Sequence, residues 1–131
     1  MSLELAVRHA KENPIEARGR QSMPRVAAVL TDGYRTVVGF NSYKTHPLQA
    51  RFARKTGHEH KVHIHAEISA ISQVSRQMII PNWAKPNPDL SSFKLYIARV
   101  SAKGEPVLAA PCEGCMMAIT EFGIKHVEWT E

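Results

Sequence analysis

The stretches PCEGCMMAITEFG, residues 111–123, and HAEISAISQVSR, residues 65–76, give the clearest indication of the fold. Each begins with side chains that can bind a metal and continues with the apolar spacing of a helix. Pro111 favours a helix start, and Gly123 is typical of the position just after a helix end. The sequence therefore predicts helices over residues 112–122 and from His65 to about residue 76, each beginning at potential ligands.

The spacing of apolar residues predicts the rest of the framework around these helices. The other predicted elements are a helix over residues 3–12 and strands over residues 26–30, 36–40, 93–100 and 124–129. Asp32-Gly33 joins the first two strands as a hairpin turn. Residues 41–62 and 81–88 are predicted to be irregular, and long irregular segments are often functional. The order α-β-β-α-β-α-β indicates an α/β sheet with helices on its faces.

Composition places the chain among ordinary globular proteins. It has 131 residues, of which 44% are hydrophobic and 22% charged, which predicts a single domain over residues 1–131. No apolar run is long enough for a membrane span, and the first residues lack the apolar core of a signal peptide. Two cysteines three positions apart exclude a disulfide framework. We therefore expect a cytoplasmic protein.

The charge is basic and unevenly distributed. The formal net charge is +5 and the isoelectric point is about 9.5. Residues 44–65 contain one acid, Glu59, among five cations. Those cations are Lys44, Arg51, Arg54, Lys55 and Lys61. They form either a solvated surface or an anion-attracting rim for a phosphate or a nucleic acid.

The two helix starts together suggest a metal site. Cys112 and Cys115 lie one helical turn apart, and a helix N-terminus favours their thiolate forms. His65 adds an imidazole, which completes a donor set typical of zinc. Three protein ligands leave the fourth position open, as in catalytic sites, where zinc lowers the pKa of water to roughly 7. Glu67 could then move protons between that water and a substrate.

Other interpretations of these residues stay open. A redox C-x-x-C pair would need no histidine, and a structural zinc would need a fourth ligand, which His60 or His63 could supply. His58, His60 and His63 could instead form a second metal site, although loop histidines are more often surface residues.

The combination H-x-E…P-C-x-x-C, here at residues 65–67 and 111–115, is the signature of zinc-dependent nucleobase deaminases. At these residues the chain resembles the cytidine and deoxycytidylate deaminase superfamily. The resemblance implies a three-layer α/β/α fold and one catalytic zinc ion per chain. The implied site residues are the zinc ligands His65, Cys112 and Cys115, the proton shuttle Glu67, and the substrate contacts Asn41 and Ala66. Members usually have a fifth strand after the last one predicted here, so we expect a mixed sheet of about four strands, or a fifth strand from a neighbouring subunit.

The resulting hypothesis is hydrolytic deamination of cytosine in a free nucleotide such as dCMP. A 5′-phosphate needs only one or two cations, whereas a polynucleotide needs a track of them. The predicted phosphate contacts are Lys44, Arg51 and Lys61. Alternatives are a nucleic-acid deaminase acting on tRNA adenosine or single-stranded cytosine, a nucleoside or base deaminase, and a non-catalytic zinc-stabilised nucleotide-binding module. An exposed edge strand and the family resemblance predict a homo-oligomer, a dimer or larger.

Overall fold

The structure is a computed structural model that describes residues 2–15, 24–57, 63–77 and 89–131. In chain order its elements are α1 (Ser2–Lys11), β1 (Arg25–Thr31), β2 (Thr36–Phe40), α2 (Pro47–Lys55), α3 (Ala66–Gln77), β3 (Lys94–Val100), β4 (Pro106–Val107), α4 (Glu113–Glu121) and β5 (His126–Trp129). None of the helices in the described ranges has the length and apolarity needed to cross a bilayer.

The mixed sheet is organised around β3. β1 pairs antiparallel with one side of β3, and β2 pairs antiparallel with β1 across the predicted Asp32-Gly33 turn. On the other side, β5 runs parallel to residues 94–97 and β4 pairs antiparallel with residues 99–100. The sheet is thus four strands wide but has five strands by count. The additional strand, β4, has two residues, too few for an alternating pattern to show in the sequence.

Helices cover both faces of the sheet, which confirms the predicted three-layer α/β/α architecture. On one face α1 packs against β1 and β3. The core of that face comprises Ala6, Ala10, Ala27, Val29, Tyr96, Ala98 and Val100. On the other face α2, α3 and α4 bury a larger core that includes Leu30, Phe52, Ile68, Ile71, Leu95, Ile97 and Ile119. The two predicted ligand-bearing helix starts lie on this second face.

The prediction that residues 41–62 are irregular was wrong, because α2 lies within them. His46 caps this helix by accepting a hydrogen bond from the amide of Leu48 at 3.0 Å, and Pro47 occupies the first turn, where its missing N–H costs nothing. Phe52 is fully buried. Basic side chains surround the few buried residues of this nine-residue helix, and packing against α4 and α3 stabilises it.

Two glycines set the positions of the site-bearing helices. A Cβ at Gly39 of β2 would overlap the carbonyl oxygen of Ala66 and the amide nitrogen of Ala70, so only glycine allows α3 to begin this close to the sheet. At the end of α4, Gly123 has a φ of 81°, the left-handed conformation that the sequence predicted there.

Candidate active site

The N-termini of α3 and α4 present the predicted ligands. The carbonyl of His65 accepts from the amide of Ser69 at 3.0 Å, and that of Cys112 accepts from the amide of Met116 at 2.9 Å. Both ligands thus stand at the caps of their helices. Cys112 makes no side-chain capping hydrogen bond, so its sulfur is directed to other partners.

Three potential ligand atoms converge between the helix starts. Nδ1 of His65 lies 3.2 Å from Sγ of Cys115 and 3.5 Å from Sγ of Cys112. All three ligand atoms lie within 4.8 Å of one another. Zn–S and Zn–N bonds of standard length at a tetrahedral angle would separate nitrogen from sulfur by about 3.6 Å. The donor set and its spacing therefore fit one zinc ion.

The pKa values of the two cysteines shift in opposite directions. Hydrogen bonding from the Cys115 thiol lowers the pKa of Cys112 to about 3. The same hydrogen bond, together with burial, raises the pKa of Cys115 well above its usual value. The protein by itself therefore stabilises one thiolate at the start of α4, and binding of a metal by both sulfurs would displace the remaining proton.

Glu67 lies beside these ligands in the first turn of α3. The residue is 5% exposed, and its carboxyl interacts electrostatically with His65 and Cys112. Burial raises the pKa of Glu67, because removal from water disfavours the carboxylate. A buried carboxyl next to a zinc donor set is suited to proton transfer.

A pocket of about 270 Å³ opens onto the donor set. Its walls are mostly apolar, and its polar lining comes from few side chains. The lining residues are Pro24, Val26, Asn41, His65, Ala66, Glu67, Ile97, Arg99, Leu108, Ala109, Ala110 and Cys112. Apolar walls with a few convergent polar groups are typical of a site for a small planar ligand.

Asn41 lies at the end of β2 and connects the pocket wall to the framework. Its Oδ1 accepts from Nδ2 of Asn13 at 2.7 Å and from the amide of Val26 at 3.1 Å. Its Nδ2 donates to the carbonyl of Pro24 at 2.7 Å. Because the amide carries two N–H groups, one of them has no acceptor in the described part of the chain and could serve a ligand.

The predicted phosphate-binding cations are dispersed. Lys44 lines a different cavity, of about 780 Å³, which also borders Asn41. Arg51 lies on α2, with Nη2 2.8 Å from Oε2 of Glu121, and it lines neither that cavity nor the 270 Å³ pocket. Lys61 falls outside the described residues. The phosphate contacts of all three stay predictions.

The alternative metal ligands are only partly within the described residues. His63 is exposed, and its ring centroid lies 5.8 Å from that of Tyr43. Within the described ranges it does not join the metal-binding group, which consists of the three predicted ligands. His58 and His60 lie outside the described residues, as does the predicted loop over residues 81–88.

Sequence analysis missed Gln49 and Arg99. Gln49 is 2% exposed, and its Oε1 accepts from the amide of His65 at 3.0 Å, which fixes the backbone of a ligand. A buried glutamine on a recognised helix would have been a usable indication, but α2 itself was not predicted. Arg99 lines the pocket, although as one cation in an alternating strand it looked like an ordinary surface residue.

Comparisons with known proteins agree with this architecture. Residues 1–131 match the family described as the cytidine and deoxycytidylate deaminase zinc-binding region. Among solved structures, a cytidine deaminase from Burkholderia pseudomallei is similar in fold, with 20% sequence identity and a TM-score of 0.51, over 92% of this chain and 74% of that one. A search of curated proteins finds no match. With its His/Cys/Cys donor set for one zinc ion, the chain belongs to the zinc-binding cytidine and deoxycytidylate deaminase family.

Proposed function

We propose that this protein deaminates cytosine to uracil hydrolytically in a free nucleotide, such as dCMP. The observation that carries the proposal is that Glu67 lines one mostly apolar pocket with His65 and Cys112, two members of the predicted zinc-binding group that Cys115 completes. The family supports a zinc-dependent deaminase, and the choice of a nucleotide rests on the net charge of +5 and on Arg99 in the lining of the pocket.

His65, Cys112 and Cys115 would hold the zinc through Nδ1 and two Sγ atoms. Bound there, zinc supplies Lewis acidity that makes water a nucleophile near neutral pH. Gln49 keeps the backbone of His65 in place through its hydrogen bond, as residues behind metal ligands commonly do.

Glu67 would carry the protons of the reaction. Its carboxylate takes a proton from the attacking water and delivers it to N3 of cytosine while the C4–O bond forms. It then passes the second water proton to the exocyclic amine, the C4–N bond breaks, and ammonia leaves. Water and cytosine are thus converted to uracil and ammonia. The buried position of Glu67 suits this role because its raised pKa keeps the transferred proton available.

The pocket walls would orient the base. Val26 and Ile97, on neighbouring strands of the sheet, line the pocket, where they can contact one face of an aromatic ring and exclude water. Ala66 adds a small side chain between ligand and proton shuttle, leaving room for the base. The remaining N–H of Asn41 would donate to the base edge or the sugar.

The test compares zinc-loaded wild type with Glu67→Gln, measuring ammonia and dUMP from dCMP. We expect turnover to fall by about 10²–10⁴-fold with zinc content unchanged. Glu113→Gln is the matched control, since Glu113 is an exposed carboxylate beside Cys112, and its activity should stay near wild type. Full activity in Glu67→Gln would refute the proton-transfer role. No ammonia from any cytosine or adenine compound with the wild type would favour a non-catalytic nucleotide-binding module.

A further inference from the structure

Arg99 breaks the apolar pattern of the central strand on the side that faces the zinc ligands. Along β3, Tyr96, Ala98 and Val100 belong to the core under α1, whereas Leu95 and Ile97 belong to the core under α3 and α4. Because strand side chains alternate, Arg99 continues the face of Leu95 and Ile97. A cation in that position, opposite Val26 of β1, calls for a reason other than packing.

The surroundings of Arg99 supply that reason. It lines the 270 Å³ pocket together with His65, Glu67 and Cys112. It also lines an adjoining groove of about 720 Å³, and these two spaces share Pro24, Arg99 and Leu108. Arg99 therefore lies where a ligand would pass from the 270 Å³ pocket into the adjoining groove.

The guanidinium of Arg99 is available to a ligand, in contrast to that of Arg25. Arg99 is exposed, and although its backbone amide donates to Oγ1 of Thr130, its guanidinium makes no ion pair or hydrogen bond within residues 2–15, 24–57, 63–77 and 89–131. Arg25, in the same groove, donates to the carbonyls of Lys11, Ser101 and Ala102. Arg25 therefore holds the framework together, while Arg99 leaves its donors to the groove.

We propose that Arg99 binds the phosphate of the nucleotide substrate and so selects a nucleotide over its nucleoside. The inference rests on the proposed deaminase function and names the residue that would recognise the phosphate of its nucleotide substrate. A base packed on Val26 and Ile97 would direct its sugar towards the shared boundary, and the phosphate would enter the groove. The planar guanidinium can donate two parallel hydrogen bonds to phosphate oxygens, which gives strength and orientation together.

The cations that the sequence predicted to bind phosphate lie less favourably for this role than Arg99 does. Lys44 borders the separate 780 Å³ cavity, and Arg51 is paired with Glu121. Among the cations of the described ranges, Arg99 alone lines the pocket that contains the zinc ligands.

The test is calorimetric titration of dCMP and deoxycytidine into zinc-loaded protein carrying Glu67→Gln, which suppresses turnover. Adding Arg99→Gln should weaken dCMP binding about 10- to 100-fold, the range of charge-assisted hydrogen bonds, and leave deoxycytidine within about twofold. Adding Lys94→Gln is the matched control: Lys94 is an exposed cation on the same strand and lies outside the pocket and groove. It should change neither affinity, and Arg99→Lys should recover part of the dCMP affinity.

Other outcomes overturn the inference. Equal weakening of both ligands would mean that Arg99 shapes the pocket instead of binding phosphate. Equal effects of Arg99→Gln and Lys94→Gln would indicate only long-range attraction. If wild type deaminates dCMP and Arg99→Gln keeps the same preference over deoxycytidine, the phosphate role fails while the proposed function stands. Absence of both binding and turnover in otherwise wild-type protein would overturn the two proposals together.

Discussion

Replacing Asn41 by alanine tests whether the wall of the active-site pocket is held by its side-chain amide. Asn41 is 6% exposed and makes three hydrogen bonds, to Asn13, to the amide of Val26 and to the carbonyl of Pro24. Alanine would remove all three hydrogen bonds, so the partner groups of Asn13, Val26 and Pro24 would lose their bond to Asn41. We therefore expect Asn41→Ala to destabilise the fold as well as the pocket.

The magnitude follows from the bond count. At about 1 kcal/mol for each hydrogen bond, Asn41→Ala should lower the free energy of unfolding by about 3 kcal/mol. For a chain of this length that corresponds to a fall in Tm of roughly 10 °C. The 2.7 Å bond between Asn13 and Asn41 should give a coupling of about 1 kcal/mol in a double-mutant cycle with Asn13→Ala.

Urea unfolding followed by tryptophan fluorescence, at a fixed zinc concentration, measures these values. Ser42→Ala is the control, because it removes one exposed hydrogen bond next to Asn41 and should cost less than about 0.5 kcal/mol. An Asn41→Ala protein as stable as Ser42→Ala would refute the structural argument. Additive effects of the Asn13 and Asn41 substitutions would show that their bond contributes nothing.

Two further substitutions test how the framework positions the site. Gly39→Ala places a methyl group against the backbone of Ala66 and should cost about 1–3 kcal/mol, seen as a lower Tm; an unchanged Tm would contradict the close approach of α3. Gln49→Leu removes the acceptor for the amide of His65 and should weaken zinc affinity about 10- to 100-fold in competition with a chelator. Gln73→Leu, which loses a hydrogen bond to the Val38 carbonyl away from the ligands, should keep zinc affinity, and equal losses in both variants would argue against positioning.

The sequence predicted the ligand-bearing parts of the fold because their signals are local. A proline before α4, a left-handed glycine after it and ligand residues at both helix starts each act within a few positions of the helix end that they mark. The hairpin turn of Asp32 and Gly33 is equally local: its carboxylate accepts from the amides of Tyr34 and Arg35 at 2.8 and 2.7 Å. Such features need no knowledge of tertiary structure.

The parts that were missed depend on tertiary structure. The helix α2 is stabilised by the burial of Phe52 between other helices. Its own sequence shows mainly positive charge and does not reveal this tertiary contact. Because α2 was missed, so was Gln49, and β4 is too short to have a pattern. The sequence predicts phosphate contacts where cations are dense along the chain. Arg99, which lines the pocket, lies instead on a strand that is distant in the sequence. A cytoplasmic location, a homo-oligomeric state and a single-domain organisation stay predictions.

The most direct test of the central claim is the product formed by zinc-loaded protein from dCMP, deoxycytidine and a single-stranded oligonucleotide in parallel, with ammonia measured alongside. We predict conversion of dCMP to dUMP with one ammonia per turnover, well above the rate with deoxycytidine. Deamination of the oligonucleotide alone would contradict the assignment to free nucleotides, and no deamination of any of the three would contradict the account of the active site.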